Sequence, residues 1–200
     1  MKKVVIFGAA GHTGKYITRK MKEMDDVQLS VFVRNPQKFG DMDLEGINII
    51  QGNALNQEDV LKAMQNQEIM LCSLEGDVRT MASNIVAGLK ETSVKRIIWI
   101  TGMGIHHEIT GLRGKMLSML AKKRSDYIEA ADIIAGSDAM TTLLRCPGIK
   151  DGDKTAYALT KEGTQPSSKN VDRAAIAKCM ADMIEDEALG VNESLGITNK

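Results

Sequence analysis

Three glycines punctuate the run Gly8-Ala9-Ala10-Gly11-His12-Thr13-Gly14. They follow the apolar residues 4–7 directly and precede a stretch with Ile17, Met21 and Met24 at helical spacing. A strand that turns sharply into a helix needs residues of this kind. Gly8 permits the tight turn, Gly11 lets backbone N–H groups approach an anion, and Gly14 lets the helix pack closely on the sheet. The helix N-terminus adds free N–H donors and partial positive charge. Ala10 lies inside the turn, and His12 and Thr13 sit where side chains also reach phosphate or ribose. The pattern implies a pyrophosphate cradle; the other reading is a glycine-rich turn with no ligand. No Gly-Lys-Ser/Thr closes the loop, so a Walker-type phosphate loop is excluded.

A second chemical signal stands about 20 residues later, after "SVFV". A site for a dinucleotide with a free ribose 2′-hydroxyl usually carries Asp or Glu there. This chain has Arg34, with Lys38 four residues on. A carboxylate would repel a 2′-phosphate, whereas a guanidinium binds it bidentately and stacks on adenine. The pair therefore favours NADP(H) over NAD(H). The alternative is a surface Arg and Lys paired with Asp41 or Asp43.

The elements that must position these residues follow from the apolar pattern. Residues 4–7, 29–33, 47–50, 69–74, 96–101 and 141–145 read as strands, with further short strands near Tyr157 and Ile197. Helices are expected over residues 13–24, after a capping-box-like start at Asn56 and Asp59, along Val78, Met81, Ile85 and Leu89, and over 171–185. A long helical region over about 112–135 is expected to break near Ser125. Strand runs without alternation, separated by helices, are strands covered on both faces. The expected fold is α/β: a doubly wound, mainly parallel sheet of Rossmann type in three α/β/α layers. The stretch 161–170 is polar and reads as a loop.

The 200 residues suit one NAD(P)-binding domain over 1–200, with a small substrate-side segment from about 150 to the end. Hydrophobic residues make up 43%, enough for a real core. Lys+Arg and Asp+Glu are 26 each, so net charge gives no reason to expect nucleic acid or an anionic membrane. Cys72, Cys146 and Cys179 form no CxxC or Cys/His cluster, which argues against a disulfide framework or a zinc site. The apolar run after Met1-Lys2-Lys3 stops at Gly8, too short for a secretory signal. No apolar stretch reaches a membrane span. A cytoplasmic protein, monomer or homodimer, is expected.

With these residues assembled, "VVIFGAAGHTG", "VFVRNPQK", "GNAL" and "TTLLRCPGI" resemble the atypical short-chain dehydrogenase/reductases. The nearest likeness is to the NmrA-like proteins and the flavin reductase/biliverdin reductase B type. The resemblance covers nearly the whole chain. It implies a pyrophosphate turn at Gly8, Gly11, His12, Thr13 and Gly14 and 2′-phosphate contacts from Arg34 and Lys38. It also implies that Asn53-Ala54 meets adenine, where the family has an Asp-hydrophobic pair. Ser73-Leu74 passes the ribose, Thr101-Gly102-Met103 lies near the nicotinamide, and Pro147-Gly148 flanks its amide.

The resemblance fails at the catalytic pattern. Related dehydrogenases use Ser/Thr, Tyr and Lys, the last two spaced YxxxK. Thr101 supplies a hydroxyl at the end of the fifth strand. Tyr127 follows at a suitable distance, but its +4 residue is Ala131. Tyr127 either faces the pocket or packs half-exposed on a helix. The YxxxK at Tyr16–Lys20 lies on the first helix and is a coincidence of spacing. His106 and His107, with Glu108 beside them, read as an exposed loop pair rather than proton donors, substrate contacts or metal ligands. Lys122-Lys123-Arg124 reads as a solvated helix face. Leu112, Met116, Leu117, Met119 and Leu120 read as core first, then as a lid over the substrate pocket, with a dimer face as the remaining alternative. Three functions remain open: a reductase of a small planar or carbonyl acceptor such as a quinone or flavin, a non-catalytic NADP(H) sensor of the NmrA-like kind, and a sugar-nucleotide epimerase or reductase. The last is disfavoured because the chain has little beyond the core fold to hold a large substrate.

Overall fold

The computed structural model describes residues 1–105, 121–164 and 167–200, with no side chains described for 121–124. The first βαβ unit is β1 (Lys2–Phe7), α1 (His12–Lys22) and β2 (Val27–Val33). A 3-10 turn, Pro36–Phe39, leads to β3 (Asn48–Gln51), α2 (Gln57–Met64) and β4 (Ile69–Cys72). Then come α3 (Val78–Leu89), β5 (Arg96–Gly102), α4 (Ala121–Ala135) and β6 (Met140–Cys146). The chain closes with β7 (Gly148–Lys150), β8 (Tyr157–Lys161), β9 (Asn170–Asp172), α5 (Arg173–Glu185) and β10 (Glu193–Asn199).

Eight strands form one sheet in the order β3-β2-β1-β4-β5-β6-β10-β8. All neighbours are parallel except β8, which runs antiparallel to β10. This is the doubly wound α/β fold expected from the strand pattern. Strand order reverses between β1 and β4, and ligands in such sheets bind outside the carboxyl ends at that switch.

The lack of alternation in the strands has a direct cause. Val4 and Ile6 face one core with Ile17 and Met21 of α1 and Ile176, Met180 and Met183 of α5. Val5 and Phe7 face the other, with Val60 and Met64 of α2, Met81 and Ile85 of α3, and Ala130, Ala131 and Ile134 of α4. Both faces are thus covered.

Several boundaries differ from the sequence reading. β4 ends at Cys72 rather than residue 74: the Ser73 N–H makes the last ladder bond, to the Phe7 carbonyl at 3.0 Å, and the neighbouring β1 turns away at Gly8. The helix expected from 171 starts at Arg173, since Val171 and Asp172 pair with Ile149 and Lys150 in a two-stranded ladder of β7 and β9. That ladder takes one end of the expected 161–170 loop, and β8 takes the other. α4 runs through Ser125 without a break. The 112–120 segment and His106, His107 and Glu108 lie outside the described residues, as do the side chains of Lys122, Lys123 and Arg124.

Ile98 is fully buried near the centre of the sheet. Ile98→Ala is expected to cost about 2–5 kcal/mol, the range for a large-to-small core change. Urea unfolding checks it, with a lower midpoint and an unchanged m-value.

Candidate functional site

The turn between β1 and α1 is set by backbone meeting backbone. Gly8 has φ +81°, and a Cβ there would lie 2.0 Å from the Ser73 carbonyl oxygen. At Gly14 a Cβ would lie 2.1 Å from the Gly8 carbonyl oxygen. Neither position tolerates a side chain. The Gly11 N–H donates to the Gly8 carbonyl at 3.0 Å and closes the turn. Gly11 is the N-cap of α1 and offers no side-chain cap, and no acidic residue stands in the first turn. The N–H groups of His12, Thr13 and Gly14 therefore point out of the helix with no carbonyl behind them. They can hold an anion. Thr13 is buried, His12 is exposed, and Ala10 packs on the core.

Arg34 follows the end of β2 and is exposed, as is Lys38 in the 3-10 turn. The competing reading paired them with Asp41 or Asp43. Asp43 instead takes Lys22 at 2.5 Å, which holds its carboxyl below the usual carboxylate range. Among the described residues neither Arg34 nor Lys38 makes an ion pair. The backbone at Arg34 is anchored: Gln51 Nε2 donates to its carbonyl at 3.2 Å.

After β3, Asn53 accepts the Leu55 N–H through Oδ1 at 3.2 Å. Its acceptor thus serves a local turn, which leaves the amide N–H groups as its outward donors. Asn56 caps α2 by accepting the Asp59 N–H at 3.0 Å. The reciprocal half of a capping box is missing: the Asp59 carboxylate accepts the Asn53 N–H at 2.9 Å instead. Asp59 thereby fixes the Asn53 turn. Ala54 is buried, and its carbonyl accepts Asn84 Nδ2 at 3.0 Å.

Ser73 and Leu74 are half-buried beyond β4, with the Ser73 carbonyl pressed against Gly8. Thr101, at the end of β5, is 3% exposed, and its Oγ1 has no hydrogen-bond partner among the described residues. Gly102 is exposed. The Met103 N–H donates to the Cys146 carbonyl at 2.8 Å, which joins the ends of β5 and β6. Gly148, after Pro147, begins β7, and its N–H donates to the Lys169 carbonyl at 3.0 Å. Because β1 to β6 are parallel, all of these positions lie at one edge of the sheet.

Tyr127 on α4 is half-buried and packs on the second core. Burial, and then the negative charge of Glu75, push its phenol above the ordinary range, while the Gly76 amide facing its oxygen pulls the other way. Its +4 neighbour Ala131 is fully buried. The packing reading of Tyr127 therefore has the stronger structural support. Tyr16 lies under the Arg19 guanidinium, 5.8 Å from the ring centre, and Lys20 pairs with Glu23 at 2.9 Å. That YxxxK is a feature of the α1 surface.

The sequence reading missed Arg145. It stands in β6 as the register partner of Thr101 and is fully buried. Its guanidinium donates to Ser194 Oγ at 2.9 Å and reaches Met103 Sδ at 3.4 Å. The signal was present as a charged residue inside the apolar run "TTLLRC". The three cysteines are free and buried. Burial pushes each thiol up, that of Cys179 to about 12. Among the described residues no group of three or more His, Cys, Asp or Glu could hold a metal. No helix among them is long and apolar enough to cross a membrane.

Comparison with known proteins agrees with this geometry. A family model described as NAD(P)H-binding matches residues 8–187. A Rossmann-fold NAD(P)-binding family protein from Shigella flexneri is 27% identical, with a TM-score of 0.85 over 100% of this chain and 94% of that one. A short-chain dehydrogenase/reductase from Veillonella parvula, solved in complex with NADP, is 23% identical, with a TM-score of 0.86 over 99% and 94%. Quinone oxidoreductase 2 of Escherichia coli is 26% identical over 146 residues, 71% of this chain and 47% of that protein. The chain spans between a third and a half of the length of the curated relatives it matches.

Gly8→Ala combines a strained φ with a backbone collision. It is expected to cost at least about 1–3 kcal/mol, the cost of left-handed strain alone. A thermal melt of the variant checks this, and an unchanged melting temperature would contradict the turn geometry.

Proposed function

The chain belongs to the NAD(P)H-binding family, and on that premise we propose that it is an NADPH-dependent oxidoreductase acting on a small planar or carbonyl acceptor of the quinone or flavin type. The observation that carries the cofactor choice is Arg34. It is an exposed guanidinium with no ion pair among the described residues, at the strand end where a carboxylate would hold a ribose 2′-hydroxyl. The fit of a dinucleotide rests on the uncapped end of α1, the side-chain-free approach at Gly8 and Gly14, and the Thr101 hydroxyl, which has no partner among the described residues.

In this reading Gly8, Ala10, Gly11, His12, Thr13 and Gly14 cradle the diphosphate. Arg34 and Lys38 bind the 2′-phosphate. Asn53 and Ala54 border adenine, and Ser73 and Leu74 border the ribose. Thr101, Gly102, Met103, Pro147 and Gly148 line the nicotinamide end, and the segment from about 150 onward borders the acceptor. When bound, the dinucleotide supplies the hydride, the hard part of the chemistry. Thr101 Oγ–H gains the partner that it lacks. Tyr127 has no lysine to activate it, and its raised phenol is a poor acid at neutral pH. The proton for a quinone or flavin then comes from solvent. The quinone oxidoreductase relative adds support for that acceptor class.

A second reading is a non-catalytic NADP(H) sensor of the NmrA-like kind. The observation that favours it is the same missing lysine after Tyr127. Titration calorimetry with NADPH and NADH, followed by an acceptor screen on the same sample, separates the two. Tight NADPH binding with quinone-dependent oxidation supports the reductase. Tight binding without turnover supports the sensor.

Arg34→Asp is expected to weaken NADPH binding by about 1.5–3 kcal/mol, the scale of a charged hydrogen bond, and to leave NADH nearly unchanged. Equal losses for both cofactors would refute the assignment.

Thr101→Val removes a buried hydroxyl that has no partner among the described residues, so it is expected to leave apo stability unchanged or slightly raised. Turnover with a quinone should nonetheless fall roughly tenfold, the effect of one lost hydrogen bond of about 1.4 kcal/mol. Tyr127→Phe should leave turnover within about twofold, since general acid catalysis contributes roughly 100-fold or more where it operates. A drop of that size in Tyr127→Phe would return the tyrosine to a catalytic role.

A further inference from the structure

A groove of about 590 Å³ lies away from the glycine turn, on the α2 side of the sheet. Its origin is a mismatch of lengths. α2 has eight residues, ~12 Å of helix. β2 beneath it has seven residues, ~23 Å of strand. The helix covers Phe32 and Val5 but stops short of the strand starts. The alternate positions left bare on that face are polar: Lys3 of β1, Gln28 and Ser30 of β2, and Asn48 of β3, with Ile50 beside them. Lys62 of α2 and the turn Gln65-Asn66-Gln67 form the opposite wall. The volume falls within the range of small-molecule sites.

The hydrogen bonds inside the groove are unfinished. Ser30 is 4% exposed, and its Oγ accepts both Asn48 Nδ2 and Gln67 Nε2, each at 3.3 Å. Its own O–H is left to donate elsewhere. Gln67 is 7% exposed, and its Nε2 also reaches the Gln65 carbonyl at 3.4 Å. A carbonyl only accepts, which fixes the nitrogen end of the amide. Gln67 Oε1 is then buried with no partner among the described residues. Buried amide oxygens ordinarily find a donor. Lys3 and Lys62 make no ion pair among the described residues, and no acidic side chain lines the groove.

From this geometry we propose that the groove is a second binding site, separate from the dinucleotide crevice, for a small anion that also carries hydroxyl groups. The two ammonium groups hold the anionic end. A ligand hydroxyl donates to Gln67 Oε1 and accepts from Ser30 Oγ–H. A phosphorylated sugar and a hydroxy acid both have this chemistry. Sulfate does not, because it has no O–H to donate to Gln67 Oε1.

The test is a titration followed by the ¹⁵N-labelled side-chain amides of Gln67 and Asn48. The probes are ribose 5-phosphate and citrate, one for each source of the anion, with sulfate, an anion without an O–H, as control. At least one probe is expected to shift both amides saturably, with Kd on the order of 1 mM or tighter, a weak but specific affinity. The double variant Lys3→Glu, Lys62→Glu alters only exposed side chains, and it should weaken that binding at least tenfold. Gln67→Met should weaken the hydroxylated probe and leave sulfate unaffected. The proposal is overturned if neither probe moves these amides, if sulfate moves them equally well, or if binding survives in the double lysine variant. Shifts confined to the amides of Gly11 to Gly14 would also overturn it, while leaving the dinucleotide reading intact.

Discussion

The contact on which the rest of the site depends is the close approach of three backbone segments at Gly8, Gly14 and Ser73. The Gly8 and Ser73 positions leave no room for a Cβ between them, and the Gly14 position leaves none against Gly8. This lets α1 start directly over the carboxyl end of β1, beside the point where strand order reverses. Three amide N–H groups then converge on one small region of solvent. A side chain at either glycine would collide with a backbone carbonyl and push the segments apart. The candidate anion site is therefore built by absence of side chains.

Charge placement follows from that arrangement. The first turn of α1 has no acid and its last turn carries Arg19, Lys20 and Lys22. The acidic first turn belongs to α2, with Glu58 and Asp59, and there Asp59 is spent on the Asn53 N–H. The carboxylate nearest the adenine side is thus tied into the backbone. It organises the turn that presents Asn53. Arg34 is fixed through its carbonyl by Gln51, and its guanidinium remains free of ion pairs among the described residues. Fixed main chain with a free cation is the arrangement that a phosphate ligand needs.

The large features of this fold were legible because they rest on local rules. Runs of four to six residues marked the central strands, and the glycine spacing marked the β1–α1 turn. The capping interaction at Asn56 was legible, but the partner of the Asp59 carboxylate was not, since that choice depends on how Asn53 folds back. β7 and β9 were missed because each has three residues and is held by long-range contacts, such as Asp172 with Asn199 at 2.6 Å. No local periodicity signals such pairing. Arg145 was visible as a residue but not as a feature, because only register brings it beside Thr101. Ser30 and Asn48 fall inside runs that read as strands covered on both faces, so nothing in the sequence sets them apart. Only the length of α2 turns them into the lining of a groove.

The chemistry proposed here follows from what the β5–β6 edge contains and what it lacks. A hydroxyl buried without a partner is retained against its desolvation cost only if something else satisfies it. Among the described residues Thr101 is such a group, and it sits at the carboxyl end of the sheet, where folds of this kind place ligands. Arg145 beside it is buried and bonded to Ser194 and Met103, so it shapes the wall while adding positive charge below the site. Tyr127 faces the Gly76 amide and the negative field of Glu75, an environment that keeps its proton in place. A site that holds its tyrosine proton so firmly is poorly suited to reducing alcohol-forming carbonyls, whose product oxygen must be protonated promptly. A quinone or flavin tolerates that deficit. Its charge spreads over a conjugated ring, and solvent can deliver the proton after the electrons have moved. Under the proposed function, the lack of a lysine after Tyr127 therefore favours a conjugated acceptor.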